Sequence, residues 1–335
     1  LATNIAESSL TIDGIDAVVD TGLVRVARFD PVSGLTRLDT RRIARDSAEQ
    51  RCGRAGRLSP GHCYRLWSEE EQGRLEERAT PAVLHEDLGA VVLQLLAWGY
   101  DRPDGLAWLD RPPRAAWEQG LQVLVRLGAA ESGEAGDYCL TPHGVNMAQL
   151  PLGPILAHLL LVGRALDAIE TASLLAALVT EGSPGERSSA DLLPLLAVLD
   201  GSRDCPAEWV EWRRRTRELA RRYRQAAAAI DRVKPFASDA VAEELPALLV
   251  ASAWPDRIAR LRDGERIAYQ LSNGRGAALT RDDPLQGEPW LASVDIGGTQ
   301  GSSSDRIHSA LALAPQYFDE LVAPLVQSND RLEWD

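Results

Sequence analysis

The sequence predicts a multidomain protein of the α/β plus α class that ends in a small β region. Three observations predict it. Strand patterns flank a helix-compatible stretch before residue 75, apolar helix faces dominate from about 88 to 235, and strand patterns return after Pro255. The chain has 335 residues, 45% of them hydrophobic, which is enough for two to four domains with their own cores.

The first elements predict a β-hairpin that follows a buried strand. Residues 17–20 form a short apolar strand, and Val24 and Val26 alternate with arginines, as in a half-buried strand. The turn at residues 30–34 leads into a returning strand through Leu38. We therefore expect a hairpin with arginines on its outer face.

A helix and a further strand follow the hairpin. Residues 47–54 favour a helix with Ser47 as the N-cap, and residues 61–67 favour a strand. Strand, helix and strand in this order predict the end of an α/β domain.

The next 70 residues favour two or three helices and a small hairpin, an arrangement that resembles a winged helix. Residues 138–140 form one arm of the hairpin. Thr141 and Pro142 then provide a cap residue and a proline at the first helical position.

Residues 151–235 are almost wholly helical in pattern and predict a helical bundle. The stretch 207–233 is expected to be one long helix whose apolar side chains face the core: Trp209, Trp212, Leu219, Tyr223 and Ile230. Tryptophans can also stack on single-stranded bases, but the amphipathic pattern favours core packing for Trp209 and Trp212.

The last region, 236–335, predicts a small antiparallel barrel of the OB type. Ile267, Tyr269 and Leu271 alternate, Asn273-Gly274 is a strong hairpin turn, and residues 290–296 form another strand.

Charge is unevenly distributed along an acidic chain with a net charge of −13. Residues 20–65 contain ten arginines against five acids, and residues 211–234 contain nine basic residues against three acids. Such segments can form a local phosphate track; the second can equally be a solvated helix face.

Cysteine, histidine and hydropathy patterns exclude several classes of protein. The four cysteines show no paired spacing, which favours unpaired thiols in a reducing cytoplasm, and the five histidines show no metal-ligand spacing. No apolar run reaches about 18 residues, so we expect no membrane span. The chain opens without an initiator Met and ends without a closing signal, so we expect it to be part of a longer protein.

The residues that carry chemistry are the string QRCGRAGR at positions 50–57. Arg54 and Arg57 are three residues apart, so both guanidinium groups point the same way on a helical turn. Such a pair suits phosphate oxygens and can neutralise charge on a leaving phosphoryl group. Gly53 removes a side chain near the backbone, and Gln50 can orient an attacking water.

This string resembles motif VI of the DEAH-box branch of superfamily 2 helicases. The opening ATNIAESSLTIDGIDAVVDTG resembles motif V of the same branch, and residues 24–38 resemble the hairpin between the two motifs. The resemblance implies that residues 1–75 are the end of the second RecA-like domain. It further implies a winged-helix domain at 76–150 and a helical ratchet domain at 151–235. The strings LSNGRGA (271–277) and DPL (283–285) resemble bacterial HrpB-type helicases, so 236–335 would be their OB-like C-terminal region. HrpA-type and spliceosomal-type helicases are weaker alternatives.

The resemblance also implies residue roles. Gln50, Arg54 and Arg57 would complete the ATP site, together with Gly53, Thr11 and Asp13. Another set would contact the RNA backbone: Thr3, Asn4, Arg25 and Arg37. For Thr3, Asn4 and Asp13 alone, ordinary turn and cap roles would be the favoured interpretation.

The chain lacks the rest of a nucleotide site. It contains no GxxxxGK[ST] string, and its single lysine is Lys234. We therefore expect the ligands of Mg²⁺ to lie on another RecA-like domain and the chain alone to hydrolyse no ATP. The expected partner is single-stranded RNA, whether DNA is also accepted stays open, and a non-catalytic RNA- or partner-binding module is the alternative.

Overall fold

The computed structural model describes residues 7, 14–30, 35–56, 60–133, 136–185, 189–230, 243–297, 305–314 and 316, and for 27–30 and 35–38 the backbone alone. Contacts divide the chain into two compact units. One unit is Leu1–Leu88 with Leu106–Ala116, and the other is Gly89–Gly105 with Trp117–Asp335.

The first unit contains a parallel strand pair and a long hairpin. Strand β1 (Ala17–Asp20) pairs in parallel with β4 (His62–Arg65), and β2 (Leu23–Asp30) pairs antiparallel with β3 (Leu35–Arg42). A parallel pair needs a crossover connection, which here contains the hairpin and helix α1 (Arg45–Cys52). The expected hairpin and the strand–helix–strand order are confirmed.

The start of α1 differs from the prediction. The helix begins at Arg45 with Ala44 as the N-cap residue, and no side chain caps it. Ser47 lies inside the first turn, where its backbone N–H donates to Oδ1 of Asp46 at 2.7 Å. The prediction that Ser47 is the N-cap of this helix was therefore wrong. The helix α2 (Glu69–Arg74) does have a side-chain cap, because Ser68 and Glu71 form a reciprocal capping box.

The second unit begins with helices and a small hairpin. These are α3 (Gly89–Ala97), α4 (Arg114–Arg126, from Trp117 onward in this unit), the pair β5 (Ala130–Ser132) and β6 (Tyr138–Leu140), and α5 (Pro142–Ala148). Thr141 caps α5 as predicted, because its Oγ1 accepts from the N–H of Gly144 at 3.1 Å. A Cβ atom at Gly144 would lie 2.0 Å from the carbonyl oxygen of Ala129, so only glycine allows this close approach.

Five helices form the largest core of the described residues: α6 (Pro154–Ala165), α7 (Ile169–Glu181), α8 (Leu193–Asp200), α9 (Val210–Ala228) and α10 (Leu245–Ala253). The predicted helix at 207–233 is shorter, because Ala207–Trp209 is a 3-10 turn and α9 ends at Ala228. Residues 231–233 lie outside the described residues. Trp212 is buried, its Nε1 donates to the carbonyl of Gly182 at 2.8 Å, and Trp209 packs against the same core. Core packing is confirmed for both tryptophans.

The last strands close into a five-stranded barrel. The strands are β7 (Ile258–Leu261), β8 (Ala268–Leu271), β9 (Gly276–Ala278), β10 (Trp290–Gly297) and β11 (Asp305–Ala312), in the order β10-β11-β9-β8-β7. The predicted Asn273-Gly274 turn joins β8 to β9, with Gly274 at φ +86°. One pair, β9 with β11, is parallel. The prediction of a small barrel is confirmed, but the prediction that it is antiparallel was wrong for the pair β9 and β11.

The DPL string has a structural role in this barrel. Asp283 is buried, and its two carboxylate oxygens accept hydrogen bonds from the backbone of Ala190 at 2.6 Å and of Leu285 at 3.0 Å. The hydroxyl of Tyr269 donates to the carbonyls of Leu285 at 3.1 Å and Glu288 at 3.0 Å. Burial raises the pKa of Tyr269 to about 12, so this hydroxyl stays a donor.

Candidate functional site

The described part of the QRCGRAGR string, residues 50–56, spans the end of α1 and the turn that follows it. The backbone continues the helix with short-range hydrogen bonds, from Arg54 to Arg51 at 3.1 Å and from Ala55 to Cys52 at 3.1 Å. Gln50 and Gly53 are exposed, and Ala55 is buried. The motif therefore has one face toward its own unit and an exposed face at Gln50 and Gly53.

Gly61 fixes this turn against the start of β4. A Cβ atom at Gly61 would lie 2.2 Å from the carbonyl oxygen of Ala55 and 2.8 Å from that of Asp16. Both contacts are with backbone, so no side-chain movement can relieve them. The absence of a side chain at Gly61 lets β4 pass close to the turn and holds it in place.

Arg54 is half-buried and is held by the backbone of Glu7. Its Nε donates to the Glu7 carbonyl at 3.1 Å, and its Nη2 donates to the same oxygen. Glu7 lies in the segment that resembles motif V, and Arg54 lies in the one that resembles motif VI. The guanidinium is thus anchored within its own unit at the border between the two motifs.

Arg51 is the residue of this site that sequence reasoning missed. Its Nε donates to Oε2 of Glu7 at 2.9 Å, and its Nη1 donates to Oδ1 of Asp20 at 2.9 Å and to the carbonyl of Leu23 at 3.1 Å. The Asp20 side chain is only 2% exposed, and the Arg51 side chain 17%. The buried acid at the end of an apolar strand was the available signal, because a buried carboxylate needs a cationic or hydrogen-bonding partner.

Two thiols lie behind the same turn. Burial raises the pKa of the Cys63 thiol, and the neighbouring Cys52 thiol raises it further. All four cysteines are free of disulfides, as predicted. A raised pKa keeps Cys63 protonated and a poor nucleophile, so its role here is packing.

The remaining predicted site residues are only partly described. Arg25 is exposed on β2, where an outward-facing cation was expected. Arg37 pairs with Arg28 through the backbone of the hairpin, and its side chain lies outside the description. The others lie outside the described residues altogether: Thr3, Asn4, Thr11, Asp13 and Arg57.

The described groups fit a phosphate better than a metal ion. Gln50 and Arg54 offer amide and guanidinium donors, which suit phosphate oxygens. Within the described ranges, no three His, Cys, Asp or Glu side chains cluster as metal ligands. In the same ranges, no helix has the length and apolar character needed to cross a membrane.

The comparisons with known proteins relate the whole chain to one type of helicase. No family model matches the chain. The ATP-dependent RNA helicase HrpB of Escherichia coli (strain K12) is 40% identical over 338 residues, covering 100% of this chain and 38% of the relative. A crystal structure of E. coli DExH-box NTPase HrpB superimposes with a TM-score of 0.73 at 38% identity, covering 99% of this chain and 38% of that one. Over its whole length the chain is thus similar to one portion of HrpB, a DEAH-box helicase.

The likeness to HrpB agrees with the strings LSNGRGA and DPL found after residue 270. The ATP-dependent RNA helicase HrpA of the same E. coli strain is 36% identical over 188 residues, which cover 56% of this chain and 14% of the relative. Only the HrpB likeness extends over the whole chain among these relatives, so the preference for the HrpB type is confirmed. The chain spans 38% of the length of its HrpB relative.

Proposed function

We propose that this chain serves an ATP-dependent RNA helicase by supplying the arginine-finger half of the ATP site and part of the RNA path. The single observation that carries the proposal is the QRCGRAGR string, in a chain similar throughout to HrpB. Gln50, in the last turn of α1, and Gly53, just after that helix, are both exposed. ATP would be held between this site and a second RecA-like domain that carries the P-loop and the Mg²⁺ ligands.

Each residue of the predicted ATP site would contribute one function. The guanidinium groups of Arg54 and Arg57 would contact phosphate oxygens and offset negative charge in the transition state. Gln50 would orient the attacking water, and the backbone at Gly53 would approach the nucleotide closely. Thr11 and Asp13 would face the nucleotide, with Asp13 near the ribose.

RNA would be bound through its backbone, without sequence readout. Thr3 and Asn4 would contact sugar and phosphate groups, and Arg25 and Arg37 would extend the contacts along the hairpin. The bonds from Arg54 to the Glu7 carbonyl support a physical coupling between these functions. A change in the position of Arg54 at the nucleotide would pull on the backbone segment that contains Thr3 and Asn4.

The domain plan follows the same proposal. Residues 1–75 would complete the second RecA-like domain, 76–150 would form a winged helix, and 151–235 would form a ratchet bundle that limits back-slipping of the strand. Residues 236–335 would be the OB-like region. The strands of the barrel follow the order β7-β8-β9-β11-β10, and β9 runs parallel to β11. This arrangement supports an OB fold.

A non-catalytic RNA-binding module is the second candidate. The observation that favours it is the excess of arginine in residues 20–65, ten against five acids, which suits RNA phosphates whether or not ATP is hydrolysed. Gln50 and Arg54 argue for the catalytic alternative, because a module that only binds RNA has no physical need for them.

The experiment compares the chain alone with the chain joined behind the P-loop domain of a DEAH-box relative. Mg²⁺-dependent ATP hydrolysis is measured with and without single-stranded RNA. We expect no turnover from the chain alone and RNA-stimulated turnover from the joined protein. Turnover by the chain alone would contradict the division of the site. A joined protein that binds RNA and hydrolyses nothing would favour the non-catalytic module.

A further inference from the structure

A cleft between α7, α8 and α9 is lined by an unusual number of arginines. Its volume is about 690 Å³, which is within the range of small-ligand sites. Its basic lining residues all come from α9: Arg213, Arg214, Arg217, Arg221 and Arg224.

Helix packing fixes the position of these side chains. Residues 213, 217, 221 and 224 follow the four- and three-residue spacing of one helix face. The adjacent face is buried, and Trp212 and Thr216 anchor it. The arginine stripe is therefore held over the cleft by the same packing that builds the bundle.

Ion pairs within the protein account for only some of the cationic charge. Arg214 pairs with Glu211, Arg221 with Glu218, and Arg224 with Glu170. Among the described residues, Arg213 and Arg217 have no ion-pair partner.

The acids of the cleft are already engaged. Glu170 and Glu218 accept from Arg224 and Arg221, and Asp200 accepts from the backbone N–H of Ser202 at 2.7 Å. The lining thus carries five arginines against three acids, Glu170, Asp200 and Glu218, which leaves an excess of two positive charges.

The Nε atom of Arg213 gives an independent indication of a ligand. It is buried and has no hydrogen-bond partner among the described residues. Its guanidinium lies against the end of α8, where Nη2 is 3.4 Å from the position of a Cβ atom at Gly201. Buried polar atoms are nearly always hydrogen-bonded, so an unpaired one in a cleft calls for a bound acceptor.

We propose that this cleft is a phosphate-binding site, with Arg213 and Arg217 as the two cations that hold the anion. Guanidinium groups match phosphate oxygens in geometry and charge, and a cleft of this size admits a polyphosphate or one to two nucleotides. The phosphate can belong to a free polyphosphate or to a nucleic-acid strand, and the experiment distinguishes these sources. The site is separate from Gln50 and Arg54 and does not depend on their role.

The test uses calorimetric titration of the full chain with inorganic pyrophosphate and with single-stranded oligouridylate. The variants are Arg213→Gln and Arg217→Gln, with Arg222→Gln as the matched control. Arg222 lies on the same helix, outside the cleft lining, and pairs with Glu218. Thermal unfolding establishes that each variant is folded. Because Arg217 is exposed, we expect Arg217→Gln to fold, and it tests the site even if Arg213→Gln does not fold.

We expect pyrophosphate to bind the wild-type chain and each cleft variant to weaken it at least about tenfold, while Arg222→Gln stays within about twofold. If the cleft variants also weaken oligouridylate, and pyrophosphate competes with it, the phosphate comes from nucleic acid. If only pyrophosphate is affected, the ligand is a free polyphosphate. No pyrophosphate binding by the wild type, equal binding by all variants, or binding of poly-glutamate in place of phosphate would overturn the proposal.

Discussion

The Nη1 atom of Arg51 donates a hydrogen bond to Oδ1 of Asp20 at 2.9 Å, and the Asp20 side chain is almost fully buried. This ion pair joins α1 to the end of β1, and the same arginine also binds Glu7. Three segments of the candidate site therefore depend on one guanidinium group.

Replacement of Arg51 by alanine is expected to destabilise the chain by about 3–5 kcal/mol, because it leaves the buried Asp20 carboxylate without its cation. The free energy of unfolding from urea titration measures the change. Arg74→Ala is the control: its pair with Glu70 is exposed at both ends, 74% and 75%, and the expected change is below about 1 kcal/mol. Equal changes in the free energy of unfolding of the two variants would show that the Arg51–Asp20 pair adds no more stability than an exposed pair.

Gly61→Ala is expected to destabilise the chain by about 1–3 kcal/mol, because the new Cβ would overlap the carbonyl of Ala55. Gly56→Ala provides the matched control five residues earlier in the sequence, since a Cβ atom there meets nothing within 4 Å. Urea titration of both variants checks the difference. If Gly61→Ala is no less stable than Gly56→Ala, the close approach of β4 to the turn does not constrain the site.

Arg25→Ala is expected to weaken RNA binding by a similar factor for different sequences and to lower the salt slope of log K by about 1. This is the expected result of losing one phosphate contact. Fluorescence anisotropy with two unrelated single-stranded RNAs at several salt concentrations measures both quantities, with Arg74→Ala as the exposed control. An unchanged slope would remove Arg25 from the RNA path.

Because the pKa values of His143 and His158 are lowered, we expect the folded state to lose stability in mild acid. Nε2 of His143 lies 2.9 Å from Nδ1 of His158, and burial, followed by the charge of His143, lowers the pKa of His158 to about 3. Burial also lowers the pKa of His143. As the pH falls below 6.5, the unfolded chain takes up protons at both positions more readily than the folded chain does. The folded state is therefore most stable above pH 6.5 and loses stability as the pH falls.

The expected contribution of His158 is about 1.4 kcal/mol per pH unit once the pH is well below 6.5. Urea titrations between pH 7 and pH 5 measure it in the wild type and in His158→Gln, and subtraction removes the groups that both proteins share. Parallel pH profiles for the two proteins would mean that His158 is protonated in the folded chain.

Sequence patterns predicted the features that depend on neighbouring residues. The cap at Thr141 and the turn at Gly274 were both predicted, because each follows from a few adjacent side chains and backbone angles. The Gln50–Arg54 string could be singled out for the same reason, because its residues are neighbours at the end of α1 and in the turn that follows; its role at a nucleotide stays a prediction.

Features that depend on distant residues were missed. Helix α10 is buried on all sides from Pro246 to Ala253, so it has no polar face and no helical period to detect. Arg51 owes its role to Asp20, 31 residues earlier, and the parallel pair of β9 with β11 follows from barrel closure. The cleft under α9 exists only because three helices pack together.

The most direct test of the central claim is the turnover of Arg54 variants in the chain joined to a P-loop domain. Arg54→Ala is expected to lower kcat by about 10³–10⁵ with RNA bound normally. Arg54→Gln separates the two roles of this residue: it retains an N–H donor for the Glu7 carbonyl but carries no charge. If Arg54 contacts the phosphate, kcat of Arg54→Gln is expected to fall as far as kcat of Arg54→Ala. Turnover of the glutamine variant within about tenfold of wild type would contradict the arginine-finger account.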